Sequence, residues 1–495
     1  MASLEQNEII QPLSINKNKA LWYLAALAAL ALVMLMPLSG LSVAGQRALA
    51  IAAFAVIVWV SECISFSLSA LTIGALMCFL IGFAPDAATG KVIGLSGAFR
   101  MAFSGWIEEM VWFQMGGLAI ALAMNATGLD KRIALGIVAC FKTSKGVLIG
   151  IILATNALAF FMPPVVARMA AMVPIILGIL AVFGQKKDSQ FAAYLGTTVA
   201  TMGNTSAFGL LSGGSMNPLV ASFVEKATGV TVSWFDWFIW FYPYTIATSI
   251  TLYFIVNYLF TVEVREVPGG KEAIKRLYTE LGPWTAAQKR LLLLATATIL
   301  AWACNNVLFS LNLTCITLVS VVLLMTPGVG VISWETLQGR LPWGTMLLFA
   351  TGIALGMMLL NTGAAVWFAN AIFGGIGLAG FGALSAIFVF ALIGILLHFG
   401  FSSSTALCAT YIPVAIAYIQ SSGRTDLSLV GIPLIILIAT GLTILVVNTP
   451  NTMIAYNSGT FSSRQFLKVG VINALVSMAL IQIFAATYWR WLGIV

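Results

Sequence analysis

Charged residues are scarce in this sequence: they make up 8% of its 495 residues, whereas 60% are hydrophobic. No water-soluble domain requires so large an apolar share, so the composition excludes a soluble globular protein and indicates a polytopic membrane protein. The apolar runs do not alternate with polar residues, as they would in the strands of a membrane β-barrel. The predicted fold class is therefore an all-α polytopic membrane protein.

Other scarcities exclude several classes of function. There is one histidine, and the six cysteines fall in apolar segments without the spacing of metal ligands, so neither a zinc site nor a disulfide is predicted. No Gly-x-x-x-x-Gly-Lys-Ser/Thr motif occurs, which argues against transport driven directly by ATP within this chain. The net charge of +8 reflects basic loops and not one basic soluble face, so we expect no nucleic-acid partner.

One stretch of the sequence occurs twice. Residues 160–174 (FFMPPVVARMAAMVP) align without a gap with residues 399–413 (FGFSSSTALCATYIP). Each copy lies between two apolar arms that are too short for a comfortable membrane span of about 20 residues. We interpret residues 146–183 and 380–420 as re-entrant helical hairpins whose tips meet near the membrane midplane, around an enclosed cavity. The alternative is two ordinary kinked spans joined by loops.

Two further segments have the pattern of a transmembrane helix broken within the membrane. Residues 190–224 are too long for one simple span and are interrupted at 203–206 (GNTS) and 212–215 (SGGS). Residues 428–456 are interrupted at 448–452 (NTPNT). Transporters place such breaks near the midplane, where the freed backbone groups line a binding site.

The order of the spans predicts an inverted-topology repeat. An odd number of predicted crossings separates the two hairpins, so they enter the membrane from opposite sides, as in secondary transporters. Most of the 24 lysine and arginine residues then lie on the side of the N-terminus, which predicts a plasma (inner) membrane protein with a cytoplasmic N-terminus in the lipid bilayer. The predicted segments are an N-terminal cytosolic segment with the first span (1–44), the first repeat (45–261), an amphipathic cytosolic linker (262–289) and the second repeat (290–495).

The hairpin tips and the broken helices provide the candidate binding residues. Helix ends that point at the midplane offer unpaired N–H groups and a positive dipole end to an anion, and unwound backbone offers oxygens to a small cation. The serines of the second tip would admit such contacts, although serines are also common packing residues in membrane helices. The predicted substrate-binding residues are Ser402, Ser403, Ser404, Thr405, Pro164, Arg168, Asn204, Thr205, Thr449, Pro450 and Asn451.

Two basic residues lie close to the tips. Arg168 is the one basic residue inside a predicted membrane segment, where a buried cation needs a partner. It could bind a substrate carboxylate with two N–H groups, or it could snorkel or pair with backbone carbonyls of the hairpin. His398, the only histidine, could couple transport to protons, but a satisfied structural histidine is the preferred interpretation.

Short motifs in the second half resemble the divalent anion/sodium symporter (DASS) family of citrate, dicarboxylate and sulfate carriers. They are the tip residues 403–406 (SSTA) and the runs 449–452 (TPNT), 454–459 (IAYNSG) and 466–470 (FLKVG). The resemblance implies a homodimer in which the hairpins and broken helices move as an elevator against a static scaffold. It also implies small organic anions, di- or tricarboxylates, as substrates.

The sequence departs from the family at both tips. The family's tips carry Ser-Asn-Thr, which in sodium-coupled members helps hold sodium and carboxylate; here Ser404 replaces the second asparagine, and residues 164–166 (PVV) replace the first tip. Asn451 replaces the second proline of the family's Thr-Pro-Pro-Asn element. An Ala-Arg pair after the first tip resembles branches that exchange carboxylates, and a fixed charge at Arg168 could stand in for a bound cation. The remaining candidate ligands for a sodium ion are Ser403, Ser404 and Thr449.

We therefore predict a secondary active transporter of small organic anions, with anion exchange favoured over sodium symport. One alternative is a sodium-coupled dicarboxylate or sulfate symporter. Another is a cation/proton antiporter of the same superfamily, which would more readily carry an acidic residue inside a span. The paired hairpins argue against a channel, because they suit gated alternation better. The lack of a catalytic His/Asp/Glu cluster argues against a membrane-embedded enzyme.

Overall fold

The computed structural model describes residues 17–86, 89–262, 271–446 and 449–495, and within these ranges it is helical and contains no β-strand. This confirms the predicted all-α fold. Eight of the described helices are long and apolar enough to cross a membrane.

The first half of the chain contains eleven α-helices within the described ranges. They are α1 (Lys17–Leu35), α2 (Val43–Ser61), α3 (Phe66–Leu76, extended by a π-helical turn, Met77–Ile81), α4 (Leu95–Ala102), α5 (Glu109–Thr127), α6 (Leu129–Val138), α7 (Ser144–Phe161), α8 (Val165–Val182), α9 (Gln190–Phe208), α10 (Met216–Thr228) and α11 (Trp234–Leu259). Short 3-10 turns occur at Ser104–Ile107 and Leu211–Gly213.

The second half contains twelve α-helices, again counting the described ranges alone. They are α12 (Lys271–Thr279), α13 (Ala286–Cys304), α14 (Leu313–Met325), α15 (Trp334–Arg340), α16 (Trp343–Asn361), α17 (Ala364–Ile376), α18 (Ala383–Leu397), α19 (Ser404–Ser422), α20 (Gly431–Thr440), α21 (Pro450–Tyr456), α22 (Ser463–Ala486) and α23 (Tyr488–Trp491). A 3-10 turn at Leu378–Gly380 precedes α18.

The order of elements in the first half recurs in the second half. After α1, the first half consists of two spans (α2, α3), a short helix (α4), a span with a short helix (α5, α6), a hairpin (α7–α8), a broken helix (α9–α10) and a last span (α11). In the second half, the two spans are α13 and α14, the short helix is α15, and the span with its short helix is α16 and α17. The hairpin is α18–α19, the broken helix is α20–α21, and the last span is α22. The five predicted crossings between the hairpins correspond to α9–α10, α11, α13, α14 and α16. The order of elements therefore matches the predicted inverted-topology repeat.

Polar caps fix where the last span of each repeat begins. Ser233 before α11 and Ser462 before α22 both form capping boxes, with Asp236 and Gln465 respectively. Each box pairs two backbone N–H groups that the first turn would leave unpaired. Among the helices that start inside the molecule, α8 and α10 have no side-chain cap.

The repeats interlock and do not form separate bundles. Helix α3 packs against α16, and α5 packs against α14, so helices from opposite repeats form one layer, which we call the wall. Opposite it, α8 of the first hairpin packs against α21, and α19 of the second hairpin packs against α10. Each hairpin thus packs against the broken helices of both repeats.

Both predicted hairpins are present. Hairpin 1 is α7 and α8, joined at residues 162–164, and hairpin 2 is α18 and α19, joined at residues 398–403. The arms of hairpin 1 have 18 residues each and are long enough to cross a membrane, so the expectation of short arms is wrong for this hairpin. What distinguishes a hairpin from two spans here is the convergence of the tips, which line one cavity.

The first break lies later in the chain than residues 203–206. That stretch stays helical in α9, where Thr205 and Ser206 donate their hydroxyls to the Thr201 and Gly203 carbonyls at 3.1 Å and 3.3 Å. The non-helical segment, residues 209–215, includes the second predicted interruption at 212–215.

Asn217 closes the first break. Its buried side-chain amide donates to the Ala207 and Leu210 carbonyls, both at 2.7 Å. These carbonyls come at the end of α9, where a helix leaves its last C=O groups without partners. The break is therefore stabilised by the protein itself and requires no water at this end.

The second break lies between α20, which ends at Thr440, and α21, which begins at Pro450; the structure describes residues 441–446 and Thr449 there, and Val447 and the predicted Asn448 lie outside the described residues. The predicted cytosolic segment before residue 17 also lies outside them, as do residues 263–270 of the predicted linker. The described part of the linker contains α12, and α13 begins at Ala286, before the predicted end of the linker.

Two glycines at equivalent positions of the repeats let the wall approach the hairpins. Gly117 opens the stretch 117–128 (GLAIALAMNATG), which recurs as 352–363 (GIALGMMLLNTG). A Cβ atom on Gly117 would lie 2.6 Å from Cγ of Pro163 in hairpin 1, and one on Gly352 would lie 2.9 Å from Cβ of Ala409 in hairpin 2. Both distances are too short for a side chain.

Replacement of Gly117 by alanine should displace the tip of hairpin 1, because the Pro163 ring cannot rotate away. We expect the overpacking to destabilise the protein by about 1–3 kcal/mol and to lower its transport rate. Thermal unfolding and transport assays of the purified protein measure both effects. Gly374→Ala is the matched control, since a Cβ there has no neighbour within 4 Å; equal behaviour of the two variants would contradict the close packing.

Candidate functional site

One cavity of about 610 Å³ lies between the two hairpin tips, the two breaks and the wall. Residues 164–167 of hairpin 1 and residues 402–405 of hairpin 2 both line it. From the breaks come Asn204, Gly214, Ser215, Met216, Thr449, Pro450 and Asn451. The wall and its neighbours contribute Phe66, Leu118, Ala121, Leu122, Asn125, Arg340, Pro342, Thr345 and Leu348.

Four helices begin at this cavity, two in each repeat. They are α8, α10, α19 and α21, whose N-caps are Pro164, Ser215, Ser403 and Thr449. The first N–H groups of a helix have no partner within the helix, and the helix dipole adds positive charge at that end. Helix ends gathered in this way form a binding site for an anion.

The two repeats differ in how these helix ends are capped. Ser403 and Thr449, in the second repeat, accept hydrogen bonds from the N–H groups of Ala406 at 3.3 Å and Thr452 at 3.4 Å. No side chain caps α8 or α10. More N–H groups of the first repeat are thus left for a ligand.

The structure places Arg168 behind the first tip and not on the cavity surface. Its side chain is fully buried, and its guanidinium donates to the backbone carbonyls of hairpin 1 and break 1. The acceptors are Met162, Pro163 (3.2 Å), Gly203 (3.0 Å) and Gly213 (2.9 Å). Of the two sequence hypotheses for Arg168, the geometry matches pairing with backbone carbonyls.

Asparagine side chains connect the two breaks. Asn451 donates its amide to the Asn204 side-chain oxygen at 3.0 Å, and Asn204 donates to the Thr443 hydroxyl at 3.3 Å. Asn204, Asn451 and Thr449 were predicted to lie together, and the cavity lining includes all three. Thr205 lies outside that lining, because its hydroxyl is bound within α9.

The second tip also contacts the end of α2. Ser402 donates its hydroxyl to the Glu62 carboxylate at 2.5 Å. Glu62 holds a left-handed backbone conformation with φ of 46°, which is rare for a residue other than glycine. This contact was not predicted, because Ser402 and Glu62 are 340 positions apart in the sequence.

His398 lies at the start of the second tip and is buried. Its Nδ1 atom is 3.1 Å from the Leu442 carbonyl, in break 2. Arg168 and His398 lie on opposite arms of their hairpins, but each contacts a carbonyl of the break in its own repeat, that of Gly213 and that of Leu442. The position matches the structural role preferred from the sequence.

The two tips differ in the side-chain oxygen atoms that they offer to a sodium ion. At the first tip, Pro164, Val165 and Val166 offer no side-chain oxygen, and Arg168 already binds the nearby carbonyls. At the second tip, the three candidate sodium ligands all line the cavity and carry hydroxyls. The described residues contain no group of three His, Cys, Asp or Glu side chains that could hold a metal ion.

Comparison with known proteins identifies the family. A family model described as "Sodium:sulfate symporter transmembrane region" matches residues 17–495. The chain belongs to this family. The finding confirms the resemblance to the DASS family that the motifs predicted, and because the family and its relatives are transporters, it confirms that the chain is not an enzyme.

Individual relatives agree with this assignment. A "Membrane protein" of Cupriavidus necator is 40% identical over 474 residues, covering 95% of this chain and 92% of that protein. The sodium-dependent dicarboxylate transporter SdcS of Staphylococcus saprophyticus is 25% identical, covering 76% of this chain and 75% of the relative. The citrate/succinate antiporter of Escherichia coli K12 is also 25% identical, covering 78% and 79%.

A solved structure is similar in fold. The YdaH transporter of Alcanivorax borkumensis superposes with a TM-score of 0.51 and 12% sequence identity, covering 86% of this chain and 97% of that chain. At this identity the likeness concerns the fold alone.

Replacement of Arg168 by alanine should strongly destabilise the protein, because its carbonyl partners would be left buried and unpaired at about 1–3 kcal/mol each. Arg168→Lys keeps the charge but cannot reach all the acceptors, so we expect an intermediate effect. Thermal unfolding of the purified variants measures this. Arg47→Ala is the control, since Arg47 donates to one carbonyl, that of Leu80, at 2.7 Å; an equal loss in both alanine variants would contradict the role of Arg168.

Proposed function

We propose that this protein is a secondary active transporter of small organic anions, most readily di- or tricarboxylates, and that it works by anion exchange with an elevator-type movement. The observation that carries the proposal is the convergence of four helix N-termini, from both repeats, on one cavity. The cavity is large enough for a small carboxylate, and its described lining contains no acidic residue. An acidic lining is what a cation/proton antiporter would need.

The substrate class draws on two relatives. One is named a dicarboxylate transporter and the other a citrate/succinate antiporter. Both substrate types carry two or more carboxylates, which suits helix ends that approach the cavity from opposite sides. The hydroxyls of Ser403, Ser404 and Thr405 add donors at the second tip.

Exchange is favoured by the fixed charge of Arg168. In a symporter the coupling cation leaves with the substrate, so the empty carrier is not left with an extra positive charge. Here the guanidinium cannot leave, and a buried charge without a counterion is costly inside a membrane. A bound dianion would compensate this charge, so the loaded carrier should move far more readily than the empty one.

Sodium symport is the second candidate, and the hydroxyls of the second tip favour it. Ser403, Ser404 and Thr449 are close enough to share one cavity and offer oxygen ligands. A sodium-dependent relative is known by name. A mechanism with one sodium at the second tip and Arg168 at the first would combine both modes.

The proposed movement is that of the hairpins and breaks relative to the wall. Side-chain contacts across this boundary include Gln114 to Ser215 at 2.8 Å and the Glu108–Lys226 ion pair at 2.5 Å. The cavity is bordered by Asn125 and Arg340, on the side where the basic loops lie. By the positive-inside rule this conformation would face the cytoplasm of an inner-membrane protein, which we propose assembles as a homodimer.

A counterflow assay tests the function. Proteoliposomes are preloaded with unlabelled succinate, and uptake of labelled succinate is measured with and without sodium. We expect internal succinate to stimulate uptake several-fold without sodium, because the loaded carrier returns faster than the empty one. Liposomes without protein are the control. Strict sodium dependence without stimulation from inside would contradict exchange and support symport.

Cross-linking tests the movement. Gln114 in the wall donates its side-chain amide to the Ser215 hydroxyl of the first break at 2.8 Å, so cysteines at these two positions would lie within reach of a short, reducible thiol cross-linker. After substitution of the six native cysteines, cross-linking of the Gln114→Cys/Ser215→Cys protein should abolish transport, and reduction of the cross-link should restore it. Single-cysteine variants are the controls. Full transport by the cross-linked protein would show that the first break does not slide along the wall.

A further inference from the structure

We propose that Arg340 is a specificity-determining residue: from the wall, it binds the second carboxylate of a dicarboxylate whose first carboxylate lies at the hairpin tips. It would do so in the conformation seen here, in which the cavity faces the basic loops. This inference rests on the proposed function as an organic-anion transporter. It adds that the substrate is bound differently on the two faces of the membrane.

Arg340 is set apart by its position. It is the one charged side chain among the described residues that line the cavity. The tips provide helix ends, hydroxyls and small side chains, whereas the wall provides mostly apolar surface. A dianion held only at the tips would leave its second carboxylate against apolar surface, and Arg340 offers the fixed positive charge that this carboxylate needs.

The guanidinium of Arg340 is not engaged elsewhere in the described structure. The described ion pairs are Glu108–Lys226 and Arg424–Asp426, and no hydrogen bond from its side chain to a described residue is formed. By contrast, Arg132 and Arg168 donate to several backbone carbonyls. The donors of Arg340 are therefore left for a ligand that enters the cavity.

The acidic residue of the same helix does not compete for Arg340. Glu335 lies at the start of α15 and Arg340 at its end. The pKa of Glu335 is lowered first by its own backbone N–H and then by the Ser333 hydroxyl, so its carboxylate is directed to the start of the helix. A basic residue in the last turn also complements the helix dipole, but on an exposed helix of seven residues this contributes little.

The backbone around Arg340 is held in place. Ser333 caps α15 by accepting from the N–H of Thr336, and the Leu337 side chain is buried. Trp343 donates its indole N–H to the Gln338 carbonyl at 3.0 Å, which ties the start of α16 to α15. The side chain of Arg340 is therefore exposed at the end of a fixed helix, where it can reach a carboxylate that enters the cavity.

The guanidinium of Arg340 favours a substrate that carries a second carboxylate. A guanidinium binds a carboxylate with two parallel N–H···O bonds, a geometry that an amide or a methyl group does not match. Arg340 lies at the end of α15, which is joined to the wall helices α5 and α16, whereas the tips belong to the elements proposed to move. The contact would therefore be made on the cytoplasmic side and lost when the substrate is carried to the other face.

The test measures KM separately on each face of the membrane. Right-side-out and inverted membrane vesicles present the external and the cytoplasmic face, and labelled succinate exchange is measured for wild type, Arg340→Gln and Arg340→Lys. Lys142→Gln is the control, because Lys142 is an exposed basic residue outside the cavity. Thermal unfolding of each purified variant checks that it is folded.

We expect Arg340→Gln to raise the cytoplasmic KM for succinate about 5- to 10-fold, as for a partly screened charged hydrogen bond. The external KM should not change, Arg340→Lys should be intermediate, and inhibition by succinamate, which has one carboxylate, should be unaffected. An unchanged cytoplasmic KM, or the same change in Lys142→Gln, would overturn the role of Arg340 alone. Absence of succinate transport by the wild type would overturn the proposed function and this inference with it.

Discussion

Backbone groups freed inside a membrane must be paired within the protein, and this constraint shapes the whole molecule. Side chains of the chain itself pair the carbonyl groups at the tips and breaks: Arg168 binds those of hairpin 1 and break 1, Asn217 those at the end of α9, and Thr452 that of Val446. The N–H groups at the starts of α8 and α10 have no such side-chain partner. The carbonyl groups are thus paired by side chains of the protein, whereas the N–H groups at the cavity have no side-chain partner. This combination favours the binding of an anion.

The inverted repeat provides this arrangement twice and from opposite sides. Each hairpin packs against the broken helices of both repeats, and the two tips line one cavity. Gly117 and Gly352 play the same part in the two repeats: each leaves room on a wall helix at the point where a hairpin approaches it. The asymmetry between the repeats is chemical: Arg168 behind an apolar first tip, and hydroxyls at the second. A fixed cation in one half and open oxygen ligands in the other are the basis for favouring exchange.

Much of this was readable from the sequence, because the repeat of residues 160–174 and 399–413 marks the hairpins directly. The polar residues around both breaks also indicated which segments would meet. The exact break in the first repeat was not predictable, since Thr205 is satisfied within its own helix and the closing residue, Asn217, lies further along the chain. Contacts between distant segments, such as Ser402 with Glu62, and the placement of Arg340 in the cavity wall depend on packing that no local pattern encodes.

The central claim is that the two tips jointly bind one organic anion. An electron cryomicroscopy map of the purified protein in lipid nanodiscs with saturating succinate tests it most directly. The account predicts ligand density between residues 164–167 and 402–405, with carboxylate oxygens within about 2.7–3.2 Å of backbone N–H groups and hydroxyls. Succinate bound away from both tips, or hairpin helices that cross the whole bilayer with no shared cavity, would contradict it.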